Sequence, residues 1–301
     1  MADDAPIIGA VFVAGGEDGL RTFSRDGITW THVQTDKEGV LAHFAAFANG
    51  HCAIAARFGG DNVAFSTSDG VKWERVKLEG QPYGTRLDML WVEDGEFKLM
   101  TGASEKTWLA KSKDGAQWSP RQALFENKTM LKRDTLLRRC ALGSGLLCTV
   151  GDYGTRVVRK GAAWTAMPDP KAKDTLIDIA FGNGAFVGGG MHGLRMRSED
   201  GLTWTDRTEG EEGEHINAMI WDGKQFVGIG QGATYLSPDG KTWKREPNEN
   251  APTLAAFGDG IFIGSLWPGK VMRSTDGIRW KQVHQFEQHA LSFAHGRLGP
   301  S

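Results

Sequence analysis

Short apolar runs alternate with glycine-containing polar segments along the chain. Residues 10–14 (Ala-Val-Phe-Val-Ala) are followed by a Gly-Gly pair, and Phe186-Val187 lies between Gly184 and a run of three glycines. Apolar runs of about four to eight residues bounded by glycine are typical of β-strands, because helices need longer amphipathic segments. The pattern therefore predicts an all-β chain of many short strands.

A seven-residue motif, Ser-x-Asp-Gly-x-x-Trp, divides the chain into repeats. Full copies begin at Ser24, Ser112, Ser198, Ser237 and Ser274, a further copy begins at Thr67, and a degenerate one keeps only Gly161 and Trp164. Successive motif tryptophans lie 37 to 46 residues apart. That period suits one four-stranded blade of a β-propeller.

Two further blocks precede each motif and complete the repeat. In the unit around blade five, strand A lies near Leu176, strand B at Phe186-Val187, strand C at Leu194-Arg-Met-Arg, and strand D begins at Trp204. The motif lies in the C-to-D turn, where Gly supplies a positive φ and the Asp and Ser oxygens accept hydrogen bonds from turn amides. These residues are therefore predicted to be structural rather than catalytic.

The two ends of the chain predict how the propeller closes. Residues 10–16 read as a strand B with no strand A before them, and residues 289–296 read as a strand A with no strand B after them. Together they would complete one blade and remove exposed sheet edges. The prediction is a single domain over residues 1–301: a seven-bladed β-propeller of four-stranded antiparallel blades, whose C-terminal strand completes the N-terminal blade.

The motifs resemble the Asp-box, or bacterial neuraminidase repeat, family of sialidase-like propellers. The family also includes xyloglucan-active hydrolases and a photosystem II assembly factor. A sialidase would imply three arginines for a substrate carboxylate, a tyrosine nucleophile with a glutamate partner, and an aspartate acid/base. Tyr235 is expected to pack within a blade and Tyr83 lies in a turn, whereas Tyr153 has no evident glutamate partner. The Phe/Tyr-Arg-Ile-Pro motif of sialidases is also absent, so the resemblance implies a fold rather than an activity.

Composition and charge exclude several classes of partner. The net charge is −2, which gives no field to attract nucleic acid or an anionic membrane surface. Cys52, Cys140 and Cys148 lie in apolar runs and are expected to be reduced. With no signal-like or membrane-spanning segment apparent, the expectation is a cytoplasmic, monomeric protein without a cofactor.

A binding site is expected where the D-to-A and B-to-C loops open around the propeller channel. Polar residues near the start of strand A, together with residues of the B-to-C loops, form the candidate set: His43, Arg57, Asp88, Arg138, Arg139, Tyr153, Asp178, His192, His215, Asn217, Trp267 and His289. The pairs His192/His215 and His289/His43 fall in adjacent blades and would suit a metal or acid/base chemistry. Trp267 would suit stacking against a sugar.

Three functions remain open from sequence. The first is recognition of a ligand or protein partner at the channel mouth, with a carbohydrate or a small anion as ligand. The second is a glycan-active hydrolase or lyase using His43, His192, His215 and Arg138. The third is a protein assembly factor that uses a basic arm. That arm contains Arg121, Lys128, Lys132 and Arg133, and it contrasts with an acidic loop at residues 209–214.

Overall fold

A computed structural model describes residues 5–78, 80, 84–131 and 135–300. Within these residues, 28 strands form seven antiparallel four-stranded sheets. The predicted all-β, seven-bladed β-propeller is therefore confirmed. The motif period predicted it because each glycine-rich turn returns the chain to the neighbouring strand of the same sheet.

The first half of the chain contributes β1 (Gly9–Gly16), β2 (Arg21–Ser24), β3 (Thr31–Gln34), β4 (Val40–Ala48), β5 (His51–Phe58), β6 (Asp61–Thr67), β7 (Glu74–Lys77), β8 (Arg86–Glu93), β9 (Glu96–Gly102), β10 (Lys106–Ser112), β11 (Gln122–Glu126), a single helical turn α1 (Asn127–Met130), β12 (Leu137–Gly143), β13 (Leu146–Gly151), β14 (Arg156–Lys160) and β15 (Ala163–Ala166). The second half contributes β16 (Leu176–Gly182), β17 (Ala185–Gly190), β18 (Arg195–Ser198), β19 (Thr205–Thr208), β20 (Ile216–Trp221), β21 (Phe226–Gly230), β22 (Ala233–Ser237), β23 (Lys244–Pro247), β24 (Leu254–Gly258), β25 (Ile261–Leu266), β26 (Lys270–Ser274), β27 (Lys281–Gln285) and β28 (Ala290–Leu298). Short 3₁₀ turns lie at Asp152–Gly154, Ala172–Asp174 and Met191–Gly193.

The chain divides into two compact units. The first comprises Met1–Glu126, Leu254–Arg273 and Gln282–Ser301. These residues hold blade one (β28 and β1 to β3), blade two (β4 to β7), blade three (β8 to β11) and most of blade seven (β24 to β27). The second comprises Asn127–Thr253 and Ser274–Lys281, which hold blades four (β12 to β15), five (β16 to β19) and six (β20 to β23). In each blade, strands A to D follow the order of the sheet.

Blade one is built from both ends of the chain, as predicted. Its strand order is β28-β1-β2-β3, and Val13 lies opposite Ala294 in the antiparallel pair of β1 and β28. The inner residues of β1 are fully buried, and Phe12 and Ala14 share an apolar cluster with Ala290. The C-terminal strand therefore covers what would otherwise be an open sheet edge.

The Asp boxes perform the structural role predicted for them. In blade five, Asp200 Oδ1 accepts hydrogen bonds from the backbone N–H groups of Leu202 at 2.8 Å and Thr203 at 2.6 Å. The Gly201 N–H donates to Ser198 Oγ at 2.8 Å, and Gly201 has φ +76°. Burial alone would raise the pKa of Asp200, but these hydrogen bonds outweigh it and lower the pKa. The carboxylate is thus occupied by its own turn.

Strand A carries a β-bulge near its start in six of the blades. The register shift falls at His43 in blade two, Asp88 in three, Arg138 in four, Ile177 in five, Asn217 in six and Leu291 in one. A bulge places two residues opposite one and re-aims the bulged side chain. Polar residues can stand at this position because it lies outside the regular alternation of the strand.

The three cysteines form no disulfide among the described residues, and Cys52 and Cys148 are buried while Cys140 is half-buried. The hairpin register places Cys140 opposite Thr149 and Cys148 opposite Ala141, so the two cysteines do not face each other across the strands. Among the described residues, no helix is long and apolar enough to cross a membrane.

Candidate functional site

Three B-to-C loops share one backbone conformation. Each has the form Gly-x-x-Gly, at residues 16–19, 151–154 and 190–193, and each is closed by a bond from the first glycine N–H to the carbonyl of the residue after the second. The third residue of each loop is left-handed: Asp18 has φ 51°, Tyr153 φ 54° and His192 φ 53°. Non-glycine residues in this region are strained, and such strain clusters at functional sites. Tyr153 and His192 were both candidates from sequence.

The loop of blade four, in the second unit, combines an exposed aromatic ring with an ion pair. Tyr153 is 49% exposed. Beside it in sequence, Asp152 Oδ1 accepts a hydrogen bond from Arg138 Nε at 2.6 Å, and Arg138 lies at the strand-A bulge. The Arg138 side chain is 41% exposed, so its guanidinium stays accessible to a ligand on the solvent side.

The loop of blade five presents a second large apolar side chain. Met191 is 48% exposed, and the neighbouring His192 is exposed as well. The His192 backbone N–H donates to His215 Nδ1 at 3.0 Å, and the two imidazole rings lie 5.0 Å apart, edge to face. The predicted proximity of His192 and His215 is therefore correct, but His215 uses Nδ1 to hold the loop rather than to bind a metal.

The residue just before strand A repeats this contact in other blades. Thr175 Oγ1 accepts a hydrogen bond from the Gly154 N–H at 3.1 Å, just as His215 Nδ1 accepts one from the His192 N–H. In the first unit, His289 Nδ1 accepts a hydrogen bond from the Gly269 N–H at 3.3 Å. This position thus caps the B-to-C loop of the preceding blade. Among the residues described, no three His, Cys, Asp or Glu side chains come together to hold a metal ion.

Asp178 joins neighbouring blades within the second unit. Its carboxylate accepts from the backbone N–H of Ile179 at 2.9 Å and of Met219 at 2.8 Å, and Arg139 Nε lies 3.9 Å away. Burial raises the pKa of Asp178, against the opposing effects of Arg139 and the two amides. Arg139 is exposed and Asn217 is half-buried at the bulge of blade six.

The remaining candidates lie in the first unit. Trp267 is 64% exposed and its ring lies 5.1 Å from that of His289. The His289 backbone N–H donates to Glu17 Oε2 at 3.2 Å, and burial lowers the pKa of the imidazole while Glu17 opposes that shift.

Strand positions separate the other three candidates of this unit. His43 is half-buried at the bulge of β4, and Arg57 is exposed, with Nε donating to the Gly59 carbonyl at 3.0 Å. Asp88 is buried, 3.4 Å from Arg86 Nε. The His43 ring lies 6.3 Å from that of Phe44, and His289 contacts Trp267 and Glu17, so the pairing of His43 with His289 stays a prediction.

Sequence reasoning missed a set of buried arginines. Arg21, Arg156 and Arg195 each follow a Gly-x-x-Gly loop by two residues and are at most 5% exposed. Each stacks on aromatic rings of the next blade: Arg21 lies 4.1 Å from the centroid of Phe65, Arg156 4.9 Å from Trp204 and Arg195 3.9 Å from Tyr235. The threefold recurrence of Gly-x-x-Gly-x-Arg is the sequence signal that would have found them.

One glutamate of the acidic loop is tied into the fold. Glu214 is 5% exposed and accepts hydrogen bonds from Arg245 and from the Tyr235 hydroxyl. Glu209 pairs with Arg207. A glutamate partner for a tyrosine therefore exists at Tyr235, but both groups are buried, and a Cβ at Gly210 would collide with the hydroxyl. The pair is thus closed to a substrate. Of the basic arm, Lys132 and Arg133 lie outside the described residues.

The sheets define the class of this protein as a seven-bladed β-propeller with B-to-C loops that carry exposed side chains. No family model and no curated protein matches the chain. Solved structures do. It is similar to YCF48 bound to a D1 peptide (TM-score 0.63, 13% identity, covering 99% of this chain and 93% of that one). It is also similar to apo AztD from Citrobacter koseri (0.58, 10%, 96% and 98%) and to the WD40 β-propeller domain of Doa1 (0.58, 12%, 82% and 82%). At these identities the likeness establishes the fold alone, and membership of the Asp-box family stays a prediction.

Proposed function

We propose that this chain is a recognition propeller that binds a peptide segment of a protein partner on the B-to-C loops of blades four and five. The observation that carries the proposal is the exposure of Tyr153 and Met191, each about half open to solvent, on two equivalent loops of the second unit. Tyrosine and methionine are enriched at protein–protein interfaces relative to the rest of the surface.

The loops are suited to recognition because their backbones are fixed in the absence of a partner. The Gly154 N–H is held by Thr175 and the His192 N–H by His215. A site that is ordered before binding loses less conformational entropy on association. Arg138 and Arg139 lie beside this apolar pair and would favour a segment that also carries a carboxylate.

Two further facts support a peptide over a small substrate. One propeller of the same fold, YCF48, has been solved bound to a D1 peptide. The groups that a glycan-active enzyme would use have local partners in the chain, since Arg138 bonds to Asp152 and His215 Nδ1 accepts an amide.

A display selection from a random peptide library tests the proposal. The selected peptide, fluorescently labelled, is titrated with wild type, Tyr153→Ser, Met191→Ser and Leu142→Ser. Leu142 is a matched control because it is 37% exposed and lies in blade four beside the A-to-B turn, at the opposite end of the strands. We expect binding about tenfold weaker in the two loop variants, as for a central contact residue, and unchanged in the control. Enrichment of no peptide, or equal affinity for all four proteins, would overturn the proposal.

A further inference from the structure

The boundary between blades two and three, within the first unit, lacks the arginine that stacks between blades one and two, four and five, and five and six. Three positions before the Ser or Thr that starts each Ser-x-Asp-Gly-x-x-Trp motif, the chain has Arg21 in blade one and Arg195 in blade five, but Ala64 in blade two. Two positions before that Ser or Thr, it has Phe65 in blade two and Tyr235 in blade six, but Ala110 in blade three. Both members of the stacked pair are therefore replaced by alanine at this one boundary.

A cavity of about 530 Å³ lies at this place. Its apolar walls are formed by Leu78, Ala110, Ala116 and Trp118, and Leu78, Trp118 and Ala64 belong to one apolar cluster. The motif tryptophans at equivalent boundaries are covered by a guanidinium: Arg21 lies 5.5 Å from the Trp73 ring and Arg195 5.5 Å from the Trp243 ring. Trp118 instead faces the open space.

The outer strand of blade three begins further along the chain than in the other blades. In blades one, two, five, six and seven strand D begins directly after the motif tryptophan, as at Thr31 and Thr205, but in blade three β11 begins only at Gln122. Pro120 lies in the intervening segment, where it has no N–H for a strand ladder. The Ser119 N–H donates to the Lys111 carbonyl at 2.8 Å, which holds the start of the segment and lets Arg121 turn toward the cavity.

The described lining residues of the cavity favour an anion. Lys77 and Arg121 line it, and no carboxylate is among its described lining residues. Lys77 is already paired with Asp61 at 3.0 Å. Arg121 is half-buried, and its guanidinium carbon stacks 4.3 Å from the Trp108 ring centroid. A guanidinium is the best-matched partner for a carboxylate, because its planar N–H groups can donate to both oxygens.

We propose that this cavity is a second binding site, which takes a small organic carboxylate with an aromatic or branched aliphatic body. The body fills the space between Trp118 and Leu78, and the carboxylate accepts from the Arg121 guanidinium. The volume lies within the range of ordinary small-molecule sites. This site is separate from the loops of blades four and five, so the test of carboxylate binding is independent of the test of peptide binding.

Calorimetric titration with 3-phenylpropanoate tests the proposal, with 3-phenylpropanamide and propanoate as comparison ligands. We expect binding of the aromatic carboxylate, and at least tenfold weaker binding of the neutral amide and of the short acid, because each lacks one half of the recognition. Arg121→Gln should reduce the affinity for the carboxylate to that for the amide. Arg279→Gln, which alters an 89% exposed arginine, should leave it unchanged.

A second variant tests the cavity without touching the charge. Ala110→Met introduces the residue that the chain itself has at the equivalent positions Met196 and Met272. It should fill the cavity, abolish binding and leave the melting temperature equal or higher. The proposal would be overturned if wild type bound no 3-phenylpropanoate at concentrations up to about 5 mM, the range of a weak fragment. Equal affinity for the amide, or full affinity of Ala110→Met, would also overturn it.

Discussion

Arg195 of blade five lies flat against Tyr235 of blade six, with its guanidinium carbon 3.9 Å from the centre of the phenol ring. Its Nε donates to Thr208 Oγ1 at 3.1 Å and its Nη2 to the Glu209 carbonyl at 2.9 Å. The arginine is 5% exposed. It therefore fills the space between the two blades, with its guanidinium over an aromatic ring and its Nε and Nη2 groups donating to acceptors of its own blade.

Arg195→Met should destabilise the protein by about 2 kcal/mol, because it keeps much of the volume but loses the cation–π contact and two hydrogen bonds. Urea unfolding followed by far-UV circular dichroism measures the change. Arg279→Met, at an exposed position, is the control and should change the midpoint little. An unaltered midpoint in Arg195→Met would show that the stacking adds nothing to stability.

Glu214 should make the fold sensitive to acid. The hydrogen bonds from Arg245, and then from Tyr235, lower the pKa of Glu214 from 4.5 to about 2 in the folded protein, against the effect of burial. Because the folded pKa lies below the unfolded one, the stabilisation is complete above about pH 4.5 and is lost as the pH falls toward 2.

The test compares the free energy of unfolding of wild type and Glu214→Gln from pH 7 down to about pH 2. The difference between them should be largest at neutral pH and shrink below about pH 4.5, since the protonated glutamate then resembles glutamine. Glu199→Gln, whose side chain is 71% exposed, provides the control. A wild-type advantage that stays constant over this range would contradict the pairing.

Local chemistry explains which parts of the fold could be predicted from the sequence. The Asp-Gly turns were predictable because Asp200, Gly201 and Ser198 bond to one another within a few residues. The closing strand was predictable because each chain end showed half of a known repeat. Both features depend on patterns that are short in sequence or that recur many times.

Contacts between blades were harder to predict, because the partners lie tens of residues apart. Nothing next to Arg195 indicates that Tyr235 will cover it, and the acidic run at 209–214 conceals that Glu214 alone is buried. The candidate site was predicted in part: His192 and His215 do meet, whereas Met191 was missed because a lone methionine in a glycine-rich loop carries no pattern.

The C-terminal strand should be required for folding. β28 supplies strand A of blade one, and its residues Ala290 and Leu298 are buried in apolar clusters. Removal of residues 287–301 would expose the edge of β1 and these clusters. We expect a chain that aggregates on size-exclusion chromatography and unfolds without a cooperative transition, whereas removal of residues 300–301 alone should have little effect. A cooperative transition at the wild-type midpoint in the longer deletion would contradict this closure.

We expect Tyr153 to lower the stability of the fold and to contribute to partner binding. It is held at φ 54° and ψ 28°, a left-handed conformation that glycine adopts without a steric penalty. Tyr153→Gly removes that strain but also increases the entropy of the unfolded chain, so we expect a net gain of about 0.5 kcal/mol. Asp18→Gly, at the equivalent position in blade one with φ 51°, serves as the control for binding, and it should gain less stability because it also loses the hydrogen bond that Asp18 Oδ1 accepts from the Gly39 N–H at 3.0 Å. Peptide binding by the loops of blades four and five should weaken in Tyr153→Gly and stay unchanged in Asp18→Gly. If Tyr153→Gly destabilised the fold and left peptide affinity intact, the tyrosine would be a structural residue of its loop rather than a contact for a partner.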